Sequence, residues 1–216
     1  MQIAPYGSWK SPITSDLIVA GTISLGQIAL STTAEGQYTY WTERRPMEKG
    51  RSVVVQRGPD GKLTDVTPPI PDDPSQSPVF NVRTRVHEYG GGAFFVFEGT
   101  LYFSNFVDQR LYRQDPDQPP RPITPEAALR YADGLMDQKR GRIICVREDH
   151  SASDREAINT LVALDPDGAA PAQVLAEGHD FYASPCLSPD GQHLAWLTWD
   201  HPNMPWDGTE LWVTEV

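Results

Sequence analysis

The chain has 216 residues, of which 39% are hydrophobic and 22% are charged, a composition typical of a folded globular protein. Its formal net charge of −11 excludes nucleic acid and anionic membrane surfaces as expected partners, because both are themselves negatively charged. No secretory signal precedes the first elements and no apolar run approaches the roughly 20 residues of a membrane span, so we expect a cytoplasmic protein.

Twenty prolines and 17 glycines predict frequent chain reversals and many short elements. Taken in chain order, four segments share one pattern, in which a glycine leads into an apolar or aromatic strand. These glycines are Gly36, Gly99, Gly141 and Gly191. Their spacing is typical of the blades of a propeller, with an insertion in the first interval.

Each of these strands is followed by a second strand, and in three of the four units by a turn and a weaker third strand. A further strand is expected before each glycine, which makes most of a four-stranded blade. We therefore predict an all-β protein, a partial β-propeller of about four blades that is truncated before ring closure. The blades are expected near residues 36–66, 92–123, 141–175 and 184–216.

The sequence shows no recognisable set of catalytic residues. A serine hydrolase would show Gly-x-Ser-x-Gly at a strand-to-helix turn, followed by Asp and His, and no such motif occurs. The five histidines are scattered without metal-ligand spacing, so we expect no metal and no cofactor. The glycine run at residues 90–92 leads into a strand, which favours close backbone packing near the propeller axis over phosphate binding. Cys145 and Cys186 lie in apolar segments and are predicted to be buried.

Two segments stand out as candidates for contacts. Arg85, His87 and Glu88 come immediately before a predicted inner strand, where side chains meet the central channel, so we predict that they bind a substrate. The alternative is a structural ion pair such as Arg85 with Glu88. The second segment, residues 200–208, is rich in proline and aromatic residues and is expected to pack on itself or to contact a neighbouring domain.

Several stretches together resemble the prolyl oligopeptidase family, and within it the bacterial dipeptidyl aminopeptidase and acylaminoacyl peptidase group. The resemblance spans nearly the whole chain and is most specific in the last stretch. The stretches are residues 9–14, 86–92, 180–185, 187–191 and 197–212.

The resemblance implies an N-terminal propeller that restricts access to a C-terminal α/β-hydrolase domain, which carries the catalytic Ser, Asp and His. This chain matches the propeller only, so we expect a fragment that is inactive by itself, whose partners are a short peptide and its own hydrolase domain. In related dipeptidyl peptidases an acidic propeller segment binds the free amino terminus of the substrate. Glu88 is the candidate here, although no double-Glu motif accompanies it.

Two other functions compete with this interpretation. A β-propeller scaffold that binds proteins without catalysis would use similar Ser-Pro-Asp-Gly turns, and its continuation would close the ring without a hydrolase domain. A propeller enzyme acting on sugars or lactones would need clustered carboxylates or metal ligands around the channel, and the sequence shows no such cluster.

Overall fold

The computed structural model describes residues 5, 7–8, 11–19, 21–73, 78–152 and 156–216. Trp9 and Lys10, which belong to the first of the family-like stretches, lie outside these residues. Among the described residues the first regular element is a short helix, α1 (Ser15–Val19), a 3-10 turn lies at Pro46–Glu48, and the remaining regular elements are strands. None of the described helices is long and apolar enough to cross a membrane.

The strands form four separate antiparallel sheets, each built from consecutive strands. The first contains β1 (Ser24–Thr33), β2 (Gly36–Arg45), β3 (Arg51–Arg57) and β4 (Leu63–Asp65). The second contains β5 (Phe94–Phe97), β6 (Thr100–Ser104), β7 (Leu111–Gln114) and β8 (Arg121–Pro122). The third contains β9 (Leu129–Asp137), β10 (Arg142–Asp149), β11 (Ile158–Leu164) and β12 (Gln173–Ala176). The fourth contains β13 (Phe181–Leu187), β14 (His193–Trp199) and β15 (Glu210–Glu215).

The four sheets are blades of a β-propeller, which confirms the fold class predicted from the sequence. The first strands of successive blades contact one another, β1 with β5, β5 with β9 and β9 with β13, so these strands form the inner side of the ring. A strand precedes each of the four marker glycines. The first blade therefore begins at Ser24 and the third at Leu129, earlier than expected. The expected ranges of these two blades start at the marker glycine and omit the strand before it.

The hydrophobic core lies between neighbouring blades, because a propeller blade buries apolar side chains against the blades beside it. Tyr40 and Val54 of the first blade pack with Phe103 of the second. Tyr102 of the second blade packs in another cluster with Tyr131 of the third. The third and fourth blades share a cluster that includes the following buried residues: Ala132, Ile144, Val146, Leu161, Tyr182 and Leu194.

The prediction that both cysteines are buried is confirmed for Cys145 and wrong for Cys186. Both are free thiols, but Cys145 is buried and Cys186 is exposed. Burial raises the pKa of Cys145 well above its ordinary value. Cys186 follows a register irregularity in the pairing of β13 with β14, between Ala183 and Cys186. Such a bulge changes which face of the sheet the next side chains occupy, and a simple strand pattern does not anticipate it.

Candidate functional site

Residues 83–92, called here the 83–92 loop, connect the first blade to the inner strand β5 of the second. The loop lies at the end of the propeller where the inner strands begin. Val86 is fully buried and packs with Ala132 and Tyr182 of the third and fourth blades. The loop therefore spans several blades instead of following the edge of one.

The backbone of the loop turns sharply at two of the predicted site residues. His87 and Glu88 have φ angles of 57° and 63°, a left-handed conformation that costs a non-glycine residue about 1 kcal/mol or more. Backbone hydrogen bonds hold the turn, since the Glu88 amide donates to the Arg85 carbonyl and the Gly90 amide to the Val86 carbonyl, each at 2.8 Å. Strained backbone of this kind is often found at functional sites.

The glycine run packs closely against an inner strand, as the sequence predicts. Asp133 of β9 accepts a hydrogen bond from the Gly92 amide at 2.5 Å, and the Asp133 amide donates to the Gly92 carbonyl at 2.8 Å. A Cβ atom on Gly92 would lie 2.9 Å from the Asp133 carboxylate, and one on Gly91 would lie 3.0 Å from it. A side chain at either position would therefore push the loop away from β9.

The ion pair of Glu88 is made with Arg130 of β9 and not with Arg85. The Arg130 Nη1 atom lies 2.6 Å from the Glu88 carboxylate and also donates to the Arg85 carbonyl at 2.9 Å. The hydrogen bond from Arg130 holds the pKa of Glu88 below its ordinary value. Arg85 instead stacks over the Phe106 ring, 4.5 Å from its centroid. The alternative of a structural ion pair at Glu88 is therefore present, but its partner is Arg130 of the third blade and not Arg85.

Glu148 of β10 also binds the 83–92 loop. Its side chain is only 4% exposed, and it accepts a hydrogen bond from the His87 amide at 2.5 Å. Arg130 lies 3.5 Å and His150 3.0 Å from its other oxygen. Because Arg130 and Glu148 are paired across β9 and β10, one edge of the third blade fixes the loop at both Glu88 and His87.

The His87 ring is buried among aromatic rings of the loop and the fourth blade. Its centroid lies 5.6 Å from that of Tyr89, 5.7 Å from Phe181 and 5.1 Å from Trp199. The Nε2 atom is buried and contacts no hydrogen-bonding partner among the described residues. Burial lowers the pKa of His87 below its ordinary value of 6.5, although the charges of Glu148 and Asp133 act in the opposite direction.

The stability of the chain should therefore fall as the pH drops through the ordinary histidine range. The unfolded chain protonates His87 near pH 6.5, while the folded chain resists protonation, so acid favours unfolding. We expect the free energy of unfolding to fall less between about pH 7.5 and pH 5.5 in His87→Asn than in the wild type. His193→Asn, at an exposed histidine, should retain the wild-type dependence. Urea titrations at each pH would measure this, and equal pH dependence in all three proteins would contradict it.

A cleft of about 720 Å³ opens beside the loop, between the third and fourth blades. His87 and Glu88 line it, but Arg85 does not, so the structure brings two of the three predicted site residues to this cleft. The other acidic residues in its walls are Glu148, Glu156 and Asp180. Among the residues that the structure describes, no group of three or more His, Cys, Asp or Glu side chains is arranged to hold a metal ion.

Sequence reasoning missed Arg130 and Glu148, the residues that hold the loop. Their partners are distant in sequence, with Arg130 lying 42 residues from Glu88 and Glu148 lying 61 residues from His87. One signal was available, since Glu148 to His150 is a charged run at the end of a strongly apolar strand. The end of β10 pairs with the start of the inner strand β9. A charged run there therefore lies at the end of the propeller where the inner strands begin.

The proline-rich segment at residues 200–208 is only partly packed on itself. Three backbone hydrogen bonds close it, from the Asn203 amide to the Asp200 carbonyl at 3.0 Å and from the Asp207 and Gly208 amides to the Met204 carbonyl at 2.9 and 3.4 Å. Trp206, however, is 76% exposed. Packing within the segment therefore does not bury the Trp206 side chain.

The fold and the 83–92 loop define this chain as four blades of a β-propeller with acidic and aromatic residues gathered at one end. Comparison with solved structures shows similarity to peptidases over nearly the whole chain. The chain is 36% identical to a puromycin hydrolase, with a TM-score of 0.79 over 100% of this chain and 34% of that one. It is 37% identical to a puromycin-hydrolyzing peptidase of Mycobacterium tuberculosis, with a TM-score of 0.81 over 99% of this chain and 33% of that one.

The chain thus spans about one third of the length of these two peptidases, and it matches the propeller part of their structures. TolB from Acinetobacter baumannii is only 14% identical, with a TM-score of 0.57 over 88% of this chain and 40% of that one, which shows a shared fold alone. No protein-family model and no curated protein matches the chain.

Proposed function

We propose that the chain is the propeller portion of a serine peptidase of the prolyl oligopeptidase family, of dipeptidyl or acylaminoacyl peptidase type. In this proposal a Ser-His-Asp triad in an α/β-hydrolase domain outside the chain cleaves short peptides. The propeller contributes no catalytic group and restricts the size of the substrates that reach the triad. The cytoplasmic location expected from the sequence is part of the proposal, and the two free thiols are compatible with a reducing compartment.

One observation carries the proposal, namely the 36–37% identity to two puromycin-hydrolysing enzymes over 99–100% of the chain. Puromycin contains an amino acid with a free amino group joined by an amide bond, so an enzyme that cleaves it acts beside an amino terminus. A substrate of the present protein would by analogy be a short peptide or an aminoacyl amide.

The geometry of the 83–92 loop supports a role for Glu88 in binding the substrate amino terminus. The hydrogen bond from Arg130 lowers the pKa of Glu88 and so favours the ionised carboxylate, and the side chain is 77% exposed. An ammonium group entering the cleft would find Glu88 together with the carboxylates of Glu156 and Asp180 in its walls. Phe181, which lines the same cleft and is only partly buried, adds an aromatic surface for an apolar side chain.

The proposal is tested by assaying the polypeptide that continues past Val216 and, separately, the 216-residue chain. The longer polypeptide should hydrolyse puromycin and alanyl-alanyl-p-nitroanilide, whereas the 216-residue chain should hydrolyse neither. A preference for the N-acetylated substrate would indicate the acylaminoacyl type. If the longer polypeptide closes the propeller and hydrolyses no peptide, a protein-binding scaffold replaces this proposal.

Glu88→Gln in the longer polypeptide should reduce kcat/KM about tenfold for substrates with a free amino terminus, as expected for the loss of one charge-assisted contact. Hydrolysis of N-acetylated substrates should be unchanged. Glu98→Gln is a matched control, because Glu98 is also an exposed glutamate with a left-handed backbone and lines a different cleft. An equal loss on both classes of substrate would argue against contact between Glu88 and the amino terminus.

A further inference from the structure

A second cleft, of about 460 Å³, lies on the other side of the 83–92 loop, between the first and second blades. Its walls carry hydrogen-bond donors, and none of the described residues that line it is an aspartate or a glutamate. The polar side chains important to the argument are those of Thr42, Arg44, Ser52, Arg83, Thr84 and Tyr89. In a chain with a formal charge of −11, a cleft with two arginines and no carboxylate is unexpected.

The two arginines have no anionic partner in the part of the chain that the structure describes. No ion pair joins Arg44 or Arg83 to a described carboxylate, and neither guanidinium donates a hydrogen bond to a described residue. Arg45, the next residue along β2, shows the contrast, because it pairs with Glu43, Glu48 and Asp65 at 2.5–3.3 Å. Successive side chains of a strand point to opposite faces, so Arg44 faces the cleft while Arg45 faces its acidic partners.

The positions of the arginines are supported by their surroundings. Arg83 stacks over the Phe106 ring, 4.7 Å from the centroid, which stabilises a cation while leaving its N–H groups free. Arg44 stands opposite Ser52 in the pairing of β2 with β3. A Cβ atom on Gly26 would lie 2.5 Å from the Thr42 hydroxyl, so glycine allows the inner strand to approach this wall.

The two clefts beside the loop differ in charge. His87 and Glu88 face the cleft whose walls carry Glu148, Glu156 and Asp180, whereas Tyr89 and Gly90 face the arginine cleft. A short peptide is a zwitterion, with an ammonium group at one end and a carboxylate at the other. A surface with an acidic cleft and a basic cleft on either side of one loop matches that distribution of charge.

We propose that the cleft with Arg44 and Arg83 binds the carboxylate of a short peptide. This inference rests on the proposed function for the nature of the ligand. A planar guanidinium can donate two parallel hydrogen bonds to a carboxylate, and the hydroxyl groups of Thr42 and Ser52 supply further donors nearby. The site selects peptides with a free carboxyl end, a property separate from binding of the amino terminus at Glu88.

The site can be tested by NMR titration of the 216-residue chain with tri-alanine and with its C-terminal amide. The free acid should bind about fivefold more tightly than the amide, consistent with the strength of an exposed charge-assisted contact. Arg83→Gln and Arg44→Gln should each remove most of this difference, and Arg83→Lys should retain part of it. Arg57→Gln is the matched control, because Arg57 is exposed, has no ion pair to a described carboxylate and does not line the cleft. Far-UV circular dichroism would confirm that every variant is folded.

Equal affinity for the acid and the amide, or an equal loss in Arg57→Gln, would overturn the site. Binding of propionate at Arg83 without binding of either peptide would overturn the peptide as the ligand. None of these outcomes depends on hydrolysis. If the longer polypeptide lacks peptidase activity while the chain still prefers the free acid, the proposed function fails and the carboxylate site remains.

Discussion

Leu161→Ala should lower the free energy of unfolding by about 2–5 kcal/mol, the range for removal of a fully buried leucine side chain. Leu161 is 0% exposed and packs between the third and fourth blades with Ile144, Tyr182 and Leu194. The truncation leaves a cavity between two sheets whose backbones are held by their own hydrogen bonds. The surrounding residues therefore have little freedom to fill it.

Leu63→Ala is the matched control for this prediction. Leu63 also lies in a strand, β4, but is 59% exposed, so its truncation should cost less than about 0.5 kcal/mol. Urea titrations followed by circular dichroism would give both values. Similar losses in the two variants would contradict the arrangement of the blades around the interface that contains Leu161.

Asp133→Ala should lower the free energy of unfolding by about 2–4 kcal/mol, because the Asp133 carboxylate joins three blades. One oxygen accepts from the Gly92 amide at 2.5 Å, before β5, and the other accepts from the Ser184 amide of β13 at 2.9 Å. Removal of the carboxylate leaves both amides without these acceptors. Asp133 also has a φ angle of 55°, a conformation that alanine adopts less readily than aspartate.

Asp117→Ala separates the two contributions to that loss. Asp117 has a φ angle of 57° and is exposed, so its replacement tests the backbone cost with little change in packing. We expect a loss of about 1 kcal/mol for Asp117→Ala. Thermal or urea unfolding of both variants would measure the difference. Equal losses would show that the hydrogen bonds of Asp133 contribute little to holding the inner strands together.

The sequence was sufficient to predict the blades because the repeat is local. Each glycine begins a hairpin strand whose partner follows within a few residues, and the Asp-Pro-Asp and Pro-Asp-Gly turns mark the ends of strands. The pattern predicts a strand before Gly141 without locating it, because the sequence of β9 is interrupted by Asp133 and Gly134 and starts near the charged Arg130. A strand with these residues lacks a simple alternating pattern. The role of Asp133 becomes clear only from its hydrogen bonds to the loop before β5 and to β13.

The candidate site was predictable only in part. His87 and Glu88 were selected from their place before an inner strand, and the structure puts both in the walls of one cleft. The partners of the loop were not predictable, because Arg130 and Glu148 come from another blade. The arginine cleft was missed for a similar reason, since Arg44 and Arg83 belong to different blade elements and no local pattern joins them.

A fluorophosphonate, which reacts covalently with the activated serine of serine hydrolases, can be used to label the polypeptide that continues past Val216. We expect one labelled serine, located after Val216 and protected by tri-alanine, and no label within residues 1–216. A folded polypeptide that takes up no label, or a label within residues 1–216, would contradict the account of this chain as the non-catalytic propeller of a serine peptidase.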